Sequence, residues 1–183
     1  MKKAKLILML TALTSAVFFS ACDKAKEKLK VDANFELKLP TVKLFVDTFS
    51  ATGDLKIDST VIQSSLQKTL DDNNAKMDDL ESVKLSNIEV EMINPGTQNF
   101  NIYNKVFGRM SATGLAQTRI AYLDPVPTNV TKILLNSDHA DLKEYLKKPE
   151  ITFSLFGQSN AGNLQRDTVN VTLHFDVVAK VTP

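Results

Sequence analysis

Apolar and polar residues alternate along much of this chain. The clearest run is the last, where Val169, Val171, Leu173, Phe175 and Val177 give five consecutive apolar hits at a spacing of two. That spacing puts alternate side chains on opposite faces of a strand, one on a core and one on water, the habit of antiparallel sheets. The same period runs through Phe35, Leu37 and Leu39, through Val42, Leu44 and Val46, and through Ile151, Phe153 and Leu155. Pro40, between the first two of these, has no N–H to give a ladder and marks a break or an edge. Gly53-Asp54 reads as a turn before a short strand at Leu55 and Ile57. Over residues 83–93 the alternation set by Val83 and Leu85 slips by one residue before Ile88, Val90 and Met92, as a β-bulge or a short loop makes it do.

Residues 105–111 and 116–123 read as strands joined through Ala112-Thr113-Gly114, and 131–135 as a further short strand. Asn94-Pro95-Gly96, Asp124-Pro125-Val126-Pro127 and residues 157–162 read as turns or interruptions. Phe100, Ile102, Tyr103, Val106 and Phe107 have no clean period, so helix and strand compete there. Two segments carry helical spacing. In residues 59–70, Val61, Ile62, Ser65, Leu66, Thr69 and Leu70 share one face, with Asp58 or Ser59 as N-cap and fraying at residues 71–74. In residues 138–147, Asp138 serves as N-cap, Leu142, Tyr145 and Leu146 share a face, and Pro149 stops the helix. Seven to nine short strands with one or two short helices predict an all-β fold, an antiparallel β-sandwich with Greek-key or jelly-roll-like connections.

The first residues follow another logic. Lys2, Lys3 and Lys5 precede a 14-residue apolar run over residues 6–19, then Ser20 and Ala21. The run is shorter than the ~20 residues a membrane-crossing helix needs, and its layout is that of a signal peptide. Phe19-Ser20-Ala21-Cys22 resembles the lipobox of bacterial lipoproteins, with Phe19 in place of the more usual Leu. The resemblance implies cleavage before Cys22 and a diacylglyceryl thioether on it, usually joined by an N-acyl chain. Cys22 is the sole cysteine, so the domain holds no internal disulfide. The organisation expected is a signal peptide over residues 1–21, lipidated Cys22 with a charged tether over 22–31, and one domain over 32–183. From about residue 81 to 181, a short capped helix ending at Pro149, then a strand, a loop and a long last strand, is similar to uncharacterised β-sandwich lipoproteins of Gram-negative bacteria. That similarity implies a fold and no activity.

Without residues 1–21 the chain keeps 19 Lys and Arg against 21 Asp and Glu, with no basic surplus to neutralise nucleic-acid phosphates. Candidate chemistry is sparse. His139 between Asp138 and Asp141 has the composition of a metal cluster, yet a helix start accounts for the carboxylates, and His174 stands alone on the polar face of the last strand. The acidic residues between Asp71 and Glu81 lack the glycine and the ligand order of a calcium loop. Gly157 to Gly162 misses nucleophile-elbow spacing by one residue, and the acceptor-like Asn129-Val130-Thr131 and Asn170-Val171-Thr172 have no glycosylation context in a bacterial chain. There is no Trp, and the ten Phe are expected mostly on core-facing positions or in the signal, which disfavours sugar binding. No catalytic residue, metal or cofactor is expected. The function expected is that of a non-enzymatic envelope lipoprotein, in the outer membrane, that binds or braces another envelope component. The alternative is a carrier holding a lipid or other apolar ligand between its sheets, with an enclosed apolar cavity of roughly 300 Å³ or more.

Overall fold

The computed structural model of the chain describes residues 30–46, 53–93, 99–159 and 167–181. Cys22, the signal segment, the tether up to residue 29 and the turn expected at 94–96 lie outside them. Nine strands form the fold: β1 (Val31–Lys38), β2 (Val42–Val46), β3 (Gly53–Gln63), β4 (Leu80–Met92), β5 (Tyr103–Ala112), β6 (Leu115–Leu123), β7 (Lys132–Ser137), β8 (Glu150–Ser159) and β9 (Asp167–Val181). Two short helices, α1 (Leu66–Asp72) and α2 (Lys143–Leu146), sit in the β3–β4 and β7–β8 connections.

The antiparallel pairing is nested, with β2 on β9, β3 on β8, β4 on β7 and β5 on β6. A long hairpin folded back on itself pairs this way, and the result is a jelly roll. Strand order along the sheet is β1-β9-β4-β7-β6-β5-β8-β3, with β2 also on β9. Two halves face each other, β1/β2-β9-β4-β7 with five strands and β6-β5-β8-β3 with four. They join at a ladder of only two residue pairs, Ala121 with Ser137 and Tyr122 with Asn136. At the other margin the Phe45 N–H donates to Asp58 Oδ2 over 2.9 Å, tying the β2 edge to β3.

Burial follows the period-two pattern. Val171, Leu173, Phe175 and Val177 of β9 are fully buried, as are Ile151, Phe153 and Leu155 of β8, so the core lies between the two halves. The slip in β4 is a bulge between Leu85 and Asn87, which returns Ile88 and Val90 to the core. Pro40 separates β1 from β2 along one edge of β9. The segment without a clean period contains both conformations, a 3-10 turn at Phe100–Ile102 and then β5.

Three expectations are corrected. Gly53-Asp54 is not a turn and residues 59–63 are not helical: both belong to β3, and the helix begins at Leu66. Thr60, Val61 and Ile62 are β-branched, and they take ladder partners in Phe153, Thr152 and Ile151, so tertiary pairing overrides a helical spacing that reached only Leu66 and Leu70. Helix α2 is a single turn. Asp141 rather than Asp138 serves its start, accepting from the Lys143 N–H and from the Val83 N–H at 3.0 Å each, while Asp138 turns to Arg119. Residues 157–159 continue β8 rather than opening a turn, because Gly157 pairs with Leu55 on one side and Val106 on the other.

Candidate functional site

The outer face of the β6-β5-β8-β3 half carries a feature the sequence pattern concealed. On β5, Val106, Gly108 and Met110 point to the core, so Lys105, Phe107 and Arg109 point away from it. Across the strands Tyr122 lies opposite Phe107, Phe107 opposite Phe156, and Phe156 opposite Lys56. In the adjacent row Arg119 lies opposite Arg109. The Phe107 and Phe156 rings stack, with centroids 5.1 Å apart and planes 7° from parallel.

Cations roof these rings. The Arg109 guanidinium lies 5.3 Å from the Phe107 centroid and 4.9 Å from that of Phe156, and Lys105 Nζ lies 5.6 Å from Phe107 on the other side. Arg119 lies 4.8 Å from the Tyr122 centroid and holds Asp138 through Nε at 2.8 Å. That hydrogen bond raises the Arg119 pKa above its ordinary value. The roof leaves Phe107 only 2% exposed although it faces away from the core. Phe100, Phe153 and Phe175 serve the core as expected, whereas Phe107 and Phe156 build an outer face and Phe45 on β2 is 67% exposed. On the outer face of the other half Lys132 pairs with Glu89 and Lys180 with Glu81, and His174 Nδ1 and Glu36 Oε1 share a hydrogen bond, each at 2.7 Å.

A second polar group lies inside the sandwich. Tyr103 at the start of β5 is opposite Ser159 at the end of β8, and Asp167 opens β9; all three are buried. Asp167 Oδ1 accepts from the Thr168 N–H at 2.6 Å, but neither Asp167 Oδ2 nor the Tyr103 hydroxyl has a hydrogen-bond partner. Burial, and then the charge of Asp167, push the Tyr103 pKa far above that of a free phenol.

The remaining sequence candidates do not converge. His139 is exposed, with φ +57°, and its N–H donates to Ser137 Oγ at 2.9 Å. His174 is on the far side of the sandwich with Glu36, and the acidic residues from Asp71 to Glu81 are spread over the end of α1, a 3-10 turn and the start of β4. Among the described residues no three His, Cys, Asp or Glu side chains group as metal ligands, and no helix is long and apolar enough to cross a membrane.

No family model matches the chain, and no curated protein matches it. Solved structures that overlap it are viral. A Triatoma virus chain is 14% identical with a TM-score of 0.38, over 81% of this chain and 66% of that one. Infectious bursal disease virus VP2 is 6% identical with a TM-score of 0.34, over 81% of this chain and 33% of that one. The chain thus spans less than two-thirds of each. Overlaps this loose transfer no function.

Proposed function

We propose that this chain is an exported bacterial lipoprotein, anchored through Cys22 and without catalytic activity, whose jelly-roll domain binds or braces another component of the cell envelope by its outer surfaces, at the outer membrane. Anchorage rests on the lipobox-like Phe19-Ser20-Ala21-Cys22 after a signal-length apolar run. The choice of outer surface over interior rests on packing across the sandwich. At Gly108 of β5 a single added Cβ would stand 2.9 Å from Ile88 Cδ1, which reaches over from β4 in the facing half, and 2.9 Å from the Phe153 ring. Where one methyl group finds no room, an apolar ligand finds none either, and this weighs against a carrier between the sheets.

Fractionation of cells with metabolic labelling by an alkyne fatty acid tests the anchor. Wild type is expected in the detergent phase, labelled, at the mass of a chain cleaved before Cys22; Cys22→Ser is expected in neither the labelled pool nor the membrane. One myristoyl-length chain binds bilayers with K of only about 10⁴ M⁻¹, so stable anchoring needs the two or three chains that a lipoprotein cysteine carries. Unlabelled wild type free in the periplasm refutes the reading.

A further inference from the structure

We infer that the outer face of the β6-β5-β8-β3 half docks on the phosphate headgroups of an anionic lipid surface. This deepens the anchored-lipoprotein reading and rests on it, because the anchor is what keeps the face beside a bilayer. Lys56, Lys105, Arg109 and Arg119 project from three strands, β3, β5 and β6, with Lys56 in the row of the two stacked rings, Arg109 and Arg119 in the row on one side of it and Lys105 in the row on the other. Arg109 and Arg119 are direct cross-strand partners, a like-charge arrangement that disfavours the sheet unless an anion offsets it. Asp138 neutralises Arg119. Of the other carboxylates of this half, Asp58 accepts from the Phe45 and Ser59 N–H groups, Glu150 accepts from Gln63, and Asp124 follows the end of β6, while Asp54 on the β3 edge shares the Lys105 row with Gln158 between them, so Arg109 is the cation of the face farthest from a carboxylate in register.

The aromatic floor gives the cations fixed places. Stacked Phe107 and Phe156 hold the Arg109 guanidinium against the sheet, and a guanidinium already confined loses less freedom when it meets a phosphate than one on a free stem. Eight residues lie between Cys22 and Val31, so over nine steps of up to ~3.6 Å each the chain between them reaches at most about 30 Å. A 150-residue domain has a radius of gyration of about 15 Å, so a tether of this length lets either broad face lie on the membrane that holds the anchor. An anchored domain never leaves that surface, so a modest attraction per cation is enough to orient it. An acidic protein partner would have no such standing proximity.

The test uses the full mature chain, residues 22–183, without its lipid as Cys22→Ser, sedimented with vesicles of equimolar phosphatidylglycerol and phosphatidylcholine or of phosphatidylcholine alone. Binding is expected to the anionic vesicles only and to vanish in 1 M salt, where the Debye length shrinks to about 3 Å. Each basic residue at such a surface contributes about fivefold, so the triple variant Lys56→Gln, Lys105→Gln, Arg109→Gln is expected to bind about 100-fold more weakly. The matched triple on the opposite face, Lys43→Gln, Lys84→Gln, Lys132→Gln, is expected to bind as wild type does, with circular dichroism verifying that both fold. Equal binding to neutral vesicles, or equal losses in the two triples, overturns the proposal. So does tighter binding to polyglutamate than to anionic vesicles at equal negative charge, which assigns the face to an acidic polypeptide instead. Because this chain carries no lipid, a negative result leaves the Cys22 anchor standing.

Discussion

Gly108→Ala measures how tightly the sandwich interior is filled. The new methyl would stand 2.9 Å from Ile88 Cδ1 and from Phe153 Cε2, and 3.3 Å from Phe153 Cζ. Ile88 and Phe153 are both wholly buried, so neither can move aside without displacing its neighbours. Overpacking of this kind costs about 1–3 kcal/mol, while Gly→Ala returns ~0.4–1 kcal/mol by restricting the unfolded chain, leaving a net loss of about 1–2 kcal/mol. In a domain of this size each kcal/mol moves Tm by about 2–4 °C, so thermal melts followed by circular dichroism should fall by roughly 2–8 °C. The contact across the two halves has its own control. Ile88→Val removes the clashing Cδ1, at a cost of ~0.5–1.5 kcal/mol alone, and the double variant should be more stable than the sum of the singles implies. A Gly108→Ala protein as stable as its parent would mean slack between the halves. That result refutes the filled interior and restores the carrier as the better function.

Two further predictions concern the core and its buried polar group. Val171→Asp places a carboxylate where no partner reaches, at a residue with 0% exposure; the cost of several kcal/mol is comparable with a whole domain's ~5–15 kcal/mol, so the far-ultraviolet spectrum of the variant should be that of an unfolded chain. Tyr103 has a folded-state pKa above that of the unfolded chain, so its contribution is fully present below pH ~10 and is lost as pH rises beyond that value, where the unfolded chain ionises first. Urea titrations should therefore show stability falling above pH ~10, and falling less steeply in Tyr103→Phe; the same slope in both proteins refutes this assignment.

How far the fold was legible depended on whether a residue answers to its neighbours in sequence or to a partner strand. The β9 alternation and the β4 slip are local records of burial, and both read correctly because one buried face forces a period of two and a bulge shifts it by one. Residues 59–63 misled because Ile62 and Leu66, both core residues, are four apart across a strand-to-helix junction, which imitates one helix face. Asp138 misled for a similar reason. A carboxylate ahead of an apolar pair has the look of an N-cap, but its guanidinium partner is 19 residues away and invisible to spacing. The aromatic face was least legible of all. In Val106-Phe107-Gly108-Arg109-Met110 the outward Phe is flanked by inward residues and reads as more core, and only the β5–β8 register brings Phe156 against it.

Net charge is a sum, whereas docking responds to the field at one face. Without residues 1–21 the sequence is slightly acidic, and on that sum alone an anionic partner looks unfavourable. The fold divides the charges unevenly. On the β1/β2-β9-β4-β7 half, the ion pairs Lys180–Glu81 and Lys132–Glu89 each cancel near the surface, leaving little field from them beyond a Debye length. On the other half, Arg109 and Lys105 direct their charge to aromatic quadrupoles, which hold a cation in place without removing its charge, so the field survives outside the sheet. A jelly roll has two broad faces, and only on one of these do cations stand over aromatic rings, among the described residues. Under the anchor proposed at Cys22, the face that carries Arg109 over Phe107 and Phe156 is the one that turns to an anionic surface, and loss of orientation in the Lys56, Lys105 and Arg109 triple variant is the result that separates this from anchoring alone.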